Sequence, residues 1–240
     1  MRRFYKEVAV SSASAIDGEA GWPGAGWLVL LDGKPLKTPR GAVLALPNNH
    51  LAVHIAAEWR DQGEEIKPLT MLFTKLANTA IDRVQGRTGE VSEMILAYIN
   101  DALCYRAARP QELVARQNAG WNPLLEWAAE RFGARLKVGT GVAHVSQPEE
   151  SLAALDSALS AYDPFTLTAI HSAATITGSL VLALAMAEGR LDPYQAFMLS
   201  QLDERYQAEN WGEDAEAAAR SRALAAELSA AGLFMKLARG

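Results

Sequence analysis

At 240 residues, half of them hydrophobic, the chain is long enough to bury a sizeable core without metals or disulfides. Its single cysteine, Cys104, excludes an intramolecular bridge and fits a reducing compartment. A net charge of −5, with Lys and Arg scattered rather than striped along one helix, argues against nucleic acid as the main partner.

The N-terminal Met1-Arg2-Arg3-Phe4-Tyr5-Lys6 is basic, but Lys6 and Glu7 interrupt before any apolar run that could serve as a secretion signal. Val8 and Val10 then alternate with polar neighbours, and residues 27–31 form a short apolar run. Asp32-Gly33 supplies a hairpin turn into Lys34-Pro35-Leu36-Lys37, and Pro39-Arg40-Gly41 turns the chain again into residues 42–46. These are the marks of a meander of short strands. Pro47 ends it, and a helix begins near Asn48 or Asn49 and runs through Glu58-Trp59 to a cap at Gly63.

From Pro68 the periodicity changes. Leu69, Leu72, Phe73, Leu76, Ala77, Ala80, Ile81 and Val84 fit a helix of about four turns, and Val91, Ile95, Tyr98 and Ile99 fit another after Gly89. Residues 101–107 are ambiguous. Pro110 opens the next helix, Gly120 ends it, and Asn122-Pro123 restarts a helix carrying Leu124, Trp127 and Ala128 up to Gly133. Residues 136–145 alternate around Gly139 and Gly141, which fits a strand pair or an extended connector. Ser146-Gln147-Pro148-Glu149 has the spacing of a helix-capping box, and Asp163-Pro164 is a capping aspartate followed by a proline at the first helical position.

Residues 167–187 contain no formal charge over 21 positions, the composition of a membrane span. Gly178-Ser179 interrupts the run with a stop followed by a new cap, so two buried helices are expected instead. Asp192-Pro193 starts a further helix in which Tyr194, Phe197, Met198, Leu202 and Tyr206 make one buried stripe. Asp203, Glu204, Gln207 and Glu209 lie off that stripe, as either a solvated face or a surface that holds another protein. After Gly212, residues 213–231 are rich in strong helix formers. Strands first and helices afterwards imply an α+β chain: a small β-rich domain with one helix over residues 1–65, then a larger all-helical domain over residues 66–240.

Chemistry-bearing motifs are sparse. There is no G-x-x-x-x-G-K-[ST] loop, and the glycine-rich residues 21–26 precede a strand and lack dinucleotide spacing, so they read as a flexible hairpin loop. His50, His54 and Glu58 share one helical face and are the best metal candidate, the basis of an alternative reading as a metal-dependent hydrolase with a His-x3-His helix. No H-E-x-x-H pattern accompanies them. His144 and His171 are isolated, and Cys104 sits between Leu103 and Tyr105 like a small apolar core residue. Acidic pairs at Glu64-Glu65, Glu149-Glu150 and Asp203-Glu204 point apart on a helix and are weak evidence for acid–base work. A protein that works by binding explains this pattern more simply than an enzyme does.

Several stretches together carry a resemblance. They are Phe4-Tyr5-Lys6; Leu31-Asp32-Gly33-Lys34-Pro35-Leu36-Lys37-Thr38-Pro39 with Gly41; Leu46-Pro47; Glu58-Trp59; Leu76-Ala77-Asn78-Thr79-Ala80-Ile81-Asp82; Asp101-Ala102-Leu103-Cys104-Tyr105-Arg106-Ala107; Trp121-Asn122-Pro123-Leu124-Leu125; Thr177-Gly178-Ser179-Leu180; and Tyr206-Gln207 with Trp211-Gly212. In this order, nearly end to end, the chain resembles the assembly chaperones of the F-type ATP synthase that bind its alpha subunit, a family of mitochondria and alphaproteobacteria. The resemblance implies a non-enzyme without catalytic residues, metal, cofactor or nucleotide. Such a protein captures the free alpha subunit until the beta subunit replaces it. It also implies a client-facing element at Asp203, Glu204, Gln207 and Trp211. Trp59 is read as packing its helix onto the strands in preference to touching the client. Tyr105 and Arg106 are read as structural, at the junction of the two parts, with Arg106 donating to carbonyls. Eukaryotic relatives act in the mitochondrial matrix behind a targeting extension. Here Phe4 follows Met1 almost at once, so a bacterial protein acting in the cytoplasm is expected in preference to a form already trimmed.

Overall fold

The structure, a computed structural model, describes residues 1–15, 26–212 and 214–239. The glycine-rich residues 21–25, read above as a hairpin loop, lie outside them. The chain divides into two compact units, Met1–Arg87 with Pro164–Ala169 and Leu233–Gly240, and Thr88–Asp163 with Ile170–Gly232. The first therefore continues past residue 65 and takes in two later segments, which a division into consecutive domains does not anticipate.

In the first unit, β1 (Val8–Ser12), β2 (Trp27–Leu31), β3 (Lys34–Pro35) and β4 (Ala45–Leu46) form an antiparallel sheet in which β2 pairs with all three others. Asp32 and Gly33 both have positive φ, 48° and 78°, as a two-residue hairpin turn requires. The Asp32 carboxylate then accepts from the backbone N–H of Lys6 (3.0 Å) and Glu7 (2.8 Å), tying the N-terminal segment to the hairpin. Helix α1 (Asn49–Arg60) is capped by the Asn48 side chain, buries Leu51, Ala52, Ile55, Ala56 and Trp59, and packs against β1, β2 and β4. It ends at Asp61, two residues before the expected Gly63.

The single helix expected over residues 69–84 is instead three pieces: a 3₁₀ turn (Pro68–Thr70), α2 (Leu72–Thr79) and a π-helical turn (Ala80–Val84). Leu69, counted as a core position, is 92% exposed, and the Met71 backbone (φ −106°, ψ 64°) leaves the helical region. The start of α2 is sealed by Glu58, which accepts from the N–H of Phe73 (2.7 Å) and Thr74 (2.8 Å) and from the Thr74 hydroxyl (2.8 Å). Asp82 in turn accepts from the Thr38 hydroxyl at 2.6 Å, and the Arg40 guanidinium donates to the Asp82 carbonyl at 2.8 Å. Phe234, fully buried, closes this core between Phe73 and Phe165, and the Asn48 amide donates to the Leu237 carbonyl.

The second unit opens with α3 (Thr88–Leu96), followed by a 3₁₀ turn (Ala97–Ile99). Residues 101–107, ambiguous in sequence, become a 3₁₀ turn (Ala102–Cys104) and β5 (Tyr105–Arg106), which pairs in parallel with β6 (Gly139–Thr140) across a long helix. That helix, α4 (Gln111–Phe132), runs uninterrupted through Gly120 and Pro123. The expected stop at Gly120 is a close approach: a Cβ there would lie 2.9 Å from Leu199 Cδ2. Gly133 (φ 78°) ends α4 in the left-handed conformation.

Helix α5 (Glu149–Ser160) has Pro148 at its N-cap, so the capping box proposed from Ser146 is not made. Gln147 instead uses its side-chain amide to bond both backbone groups of Lys137, at 2.7 and 3.0 Å. The charge-free run is two helices, α6 (Pro164–Thr177) and α7 (Leu180–Ala187), separated by Gly178 (φ 65°) and capped by Ser179. No helix among the described residues is long and apolar enough to cross a membrane. The helix begun at Asp192-Pro193 breaks at Gln201 into α8 (Pro193–Ser200) and α9 (Leu202–Trp211), so its expected single stripe is divided. Tyr194 leaves the stripe altogether, at 70% exposed. Helix α10 (Ala215–Arg239) completes the chain. The α+β class read from the order of elements holds.

At the centre of the second unit Leu103, Cys104, Trp121, Leu124, Leu125, Ala128, Val181, Leu182 and Ala185 form one apolar cluster. Beside it the fully buried Asp101 carboxylate accepts from Leu103 N–H (2.9 Å), Ser179 Oγ (2.9 Å) and Val181 N–H (2.8 Å). Burial raises its pKa to about 6, against the pull of those hydrogen bonds.

Candidate functional site

Helix α9 is polar because most of its length faces outward, and α4 provides its seat. Tyr206 is the buried residue of α9, with the Arg116 guanidinium 5.2 Å from its ring centre. Arg116 also bonds Glu209 (2.6 Å) and Glu112 (2.8 Å). Gln117, fully buried, donates from Nε2 to Asp203 Oδ1 at 2.8 Å and accepts at Oε1 from the Ala107 N–H, also at 2.8 Å. The indole N–H of Trp121 donates to the Leu199 carbonyl at 3.0 Å, and Gly120 leaves room for Leu199 and Leu202. Seat and helix are thus joined by a network that leaves neither amide end of Gln117 unused.

The four residues assigned to a client-facing element divide. Glu204, Gln207 and Trp211 are exposed, Trp211 at 76%. At 3.6 residues per turn they fall within about 60° of one another around the helix, forming one outward row. Asp203 is half-buried, and its carboxylate is turned to Gln117. Sequence reasoning did not single out Gln117 or Arg116. The available signal was a glutamine at the midpoint of the series Leu113, Gln117, Trp121 and Leu124, where a helix otherwise buries apolar residues.

The residues read as structural have structural partners. Trp59 is buried, packs edge-on to Tyr5 at 5.5 Å, and its carbonyl accepts from the Tyr5 hydroxyl at 2.6 Å. Arg106 lies within the second unit; it donates to the Leu103 carbonyl and to Asn122 Oδ1 (2.7 Å), with its guanidinium 4.9 Å from the Trp121 ring centre. Burial draws the Arg106 pKa below its ordinary value, opposed by Cys104, Asp101 and Asp203. The Tyr105 hydroxyl accepts a long bond from the Val145 N–H at 3.4 Å.

Two of the three side chains in the metal candidate have other partners. Glu58, the carboxylate of the His50-His54-Glu58 set, is committed to the N-terminus of α2, and His54 stacks on Phe73 at 5.6 Å. Among the described residues no group of three His, Cys, Asp or Glu side chains is arranged to hold a metal ion. Burial pushes the Cys104 thiol up to about 12, far from a reactive thiolate.

Fold and site together define an α+β protein that presents a polar helix with an exposed terminal tryptophan on a hydrogen-bonded helical seat. The sequence profile of the ATP12 chaperone protein family matches residues 2–129, more than half of the chain, and the chain belongs to that family. It is 28% identical over 225 residues to the mitochondrial protein atp12 of Schizosaccharomyces pombe, spanning 88% of this chain and 74% of that protein. The crystal structure of Atp12 from Paracoccus denitrificans is 40% identical, covers 99% of this chain and 98% of its own, and superposes with a TM-score of 0.89. An aspartate-to-lysine mutant of that Paracoccus protein superposes equally well, at 0.89.

Proposed function

We propose that this chain is an assembly chaperone for the catalytic head of the F-type ATP synthase, acting in the bacterial cytoplasm. It binds the free alpha subunit and shields its interface until the beta subunit takes its place. Membership of the ATP12 chaperone family supports the class of activity. The observation that carries the mode of binding is the outward row Glu204, Gln207 and Trp211 on α9.

An unassembled subunit of a ring exposes a surface like a core cut in half, which drives aggregation. A temporary cover must hold that surface and still release it to the proper partner. An aromatic anchor inside a polar rim meets both needs, since a few anchors carry most of the affinity and the rim keeps the total burial modest. Release then follows from the greater burial in the finished complex, by mass action and without nucleotide, metal or catalytic residue. The work is binding, not catalysis.

Co-expression with alpha and beta subunits followed by affinity capture on this chain is expected to recover alpha. Recovery of beta alone, or of neither, refutes the proposal. Trp211→Ala is expected to weaken capture of alpha by about tenfold or more, as removal of an interface anchor does. Its melting curve should stay unchanged, because the indole is exposed in the free protein.

A further inference from the structure

We infer that Gln117 is the positioning residue of the client-binding helix, and that Asp203 acts on client binding through Gln117 and not by touching the client. The inference rests on the reading of α9 as the client-facing element. It is carried by the geometry of a buried amide used at both ends. Gln117 is fully buried on α4; one end accepts from the Ala107 N–H just after β5, and the other donates to Asp203 in the first turn of α9.

A side chain with two polar ends in an apolar setting is costly unless both are satisfied, and satisfying both fixes the distance and rotation between the elements it joins. Leu199 and Leu202 pack closely against Gly120, but apolar contact is non-directional and does not by itself specify that rotation. The Gln117–Asp203 bond sets it near the start of α9, and Arg116–Glu209 sets it a further turn and a half along. Glu209 and its partner Arg116 are exposed and solvent-screened, so the part-buried Gln117–Asp203 bond is the stronger of the two determinants. Trp211 stands two turns beyond Asp203, so a small rotation at the seat moves the anchor away from its pocket on the client.

Four variants of the full chain separate the possibilities. Gln117→Met keeps the volume and removes both bonds; Asp203→Ala removes the acceptor; Asp203→Asn keeps a carbonyl oxygen for Gln117 and removes only the charge; the double variant Gln117→Met/Asp203→Ala completes the cycle. Each is measured by hydrogen exchange of residues 202–211 and by capture of purified alpha subunit. Gln117→Met and Asp203→Ala are each expected to speed exchange across α9 and to weaken capture by about tenfold, with the double variant no worse than either. Asp203→Asn is expected to stay close to the parent in both measurements. Unchanged α9 exchange in Gln117→Met, or an Asp203→Asn variant as defective in capture as Asp203→Ala, overturns the inference. Failure of the underlying reading has a different signature: Trp211→Ala would leave both α9 exchange and capture unaltered.

Discussion

Asp101 offers a quantitative test of how the second unit is held together. Its carboxylate is fully buried with three donors and no cation bonded to it, and its pKa rises from 3.8 to about 6 because burial outweighs the hydrogen bonds. The folded-state value lies above the unfolded one. The contribution of this group to stability is therefore complete below the unfolded value and is lost as pH rises through about 6. In full, the difference between 3.8 and about 6 corresponds to ~3 kcal/mol at 1.36 kcal/mol per tenfold. Asp101→Asn removes the titration and forfeits one of the two acceptor oxygens, costing about 1–3 kcal/mol at pH 7. Between pH 7 and pH 4.5 the parent gains about 2 kcal/mol relative to the variant, so the cost of the substitution grows on acidification. Urea denaturation of both proteins at half-unit pH steps reads this directly. Parallel stability curves, or a gap that narrows as pH falls, would refute the account of a carboxylate whose ionisation opposes folding.

Two further substitutions test the packing. Phe234→Ala removes a fully buried ring between Phe73 and Phe165 and should cost about 3–5 kcal/mol, lowering the melting temperature by about 10 °C in a thermal scan. Gly232→Ala sets helix propensity against contact: propensity alone favours alanine in α10 by about 1 kcal/mol, but its Cβ would overlap Pro193 Cγ. The overlap should win because a proline ring has little freedom to retreat, giving a net loss of about 1–3 kcal/mol; a rise in melting temperature would show that α10 shifts aside freely.

Much of the fold was written locally. Asp32-Gly33 specifies its turn because two consecutive left-handed residues suit few other pairs, and Gly178-Ser179 divides an apolar run because one ends a helix and the other caps the next. The ordered motifs carry the family resemblance in the sequence itself. What they do was not visible until the chain was folded, because the motif residues bond one another across long separations. Asp32 holds Lys6 and Glu7, Thr38 meets Asp82, Tyr5 meets Trp59, Asp101 meets Ser179, and Arg106 meets Asn122.

The sequence by itself determined the α+β class, the hairpin, the caps at Ser179 and Asp192 and the polar character of α9, since each depends on dihedral preference and hydrophobic spacing within a few residues. Tertiary structure alone decided that Gly120 is a contact and not a stop, that the helix from Pro193 breaks at Gln201, and that residues 233–240 return to the first unit. It also decided that Asp203 turns to Gln117 while Glu204, Gln207 and Trp211 face out. The physical reason is that adjacent residues on one helix differ in direction by about 100°, and which direction is inward depends on what packs there. For α9 that is Gln117, 86 residues earlier in the chain, and no local rule reaches so far.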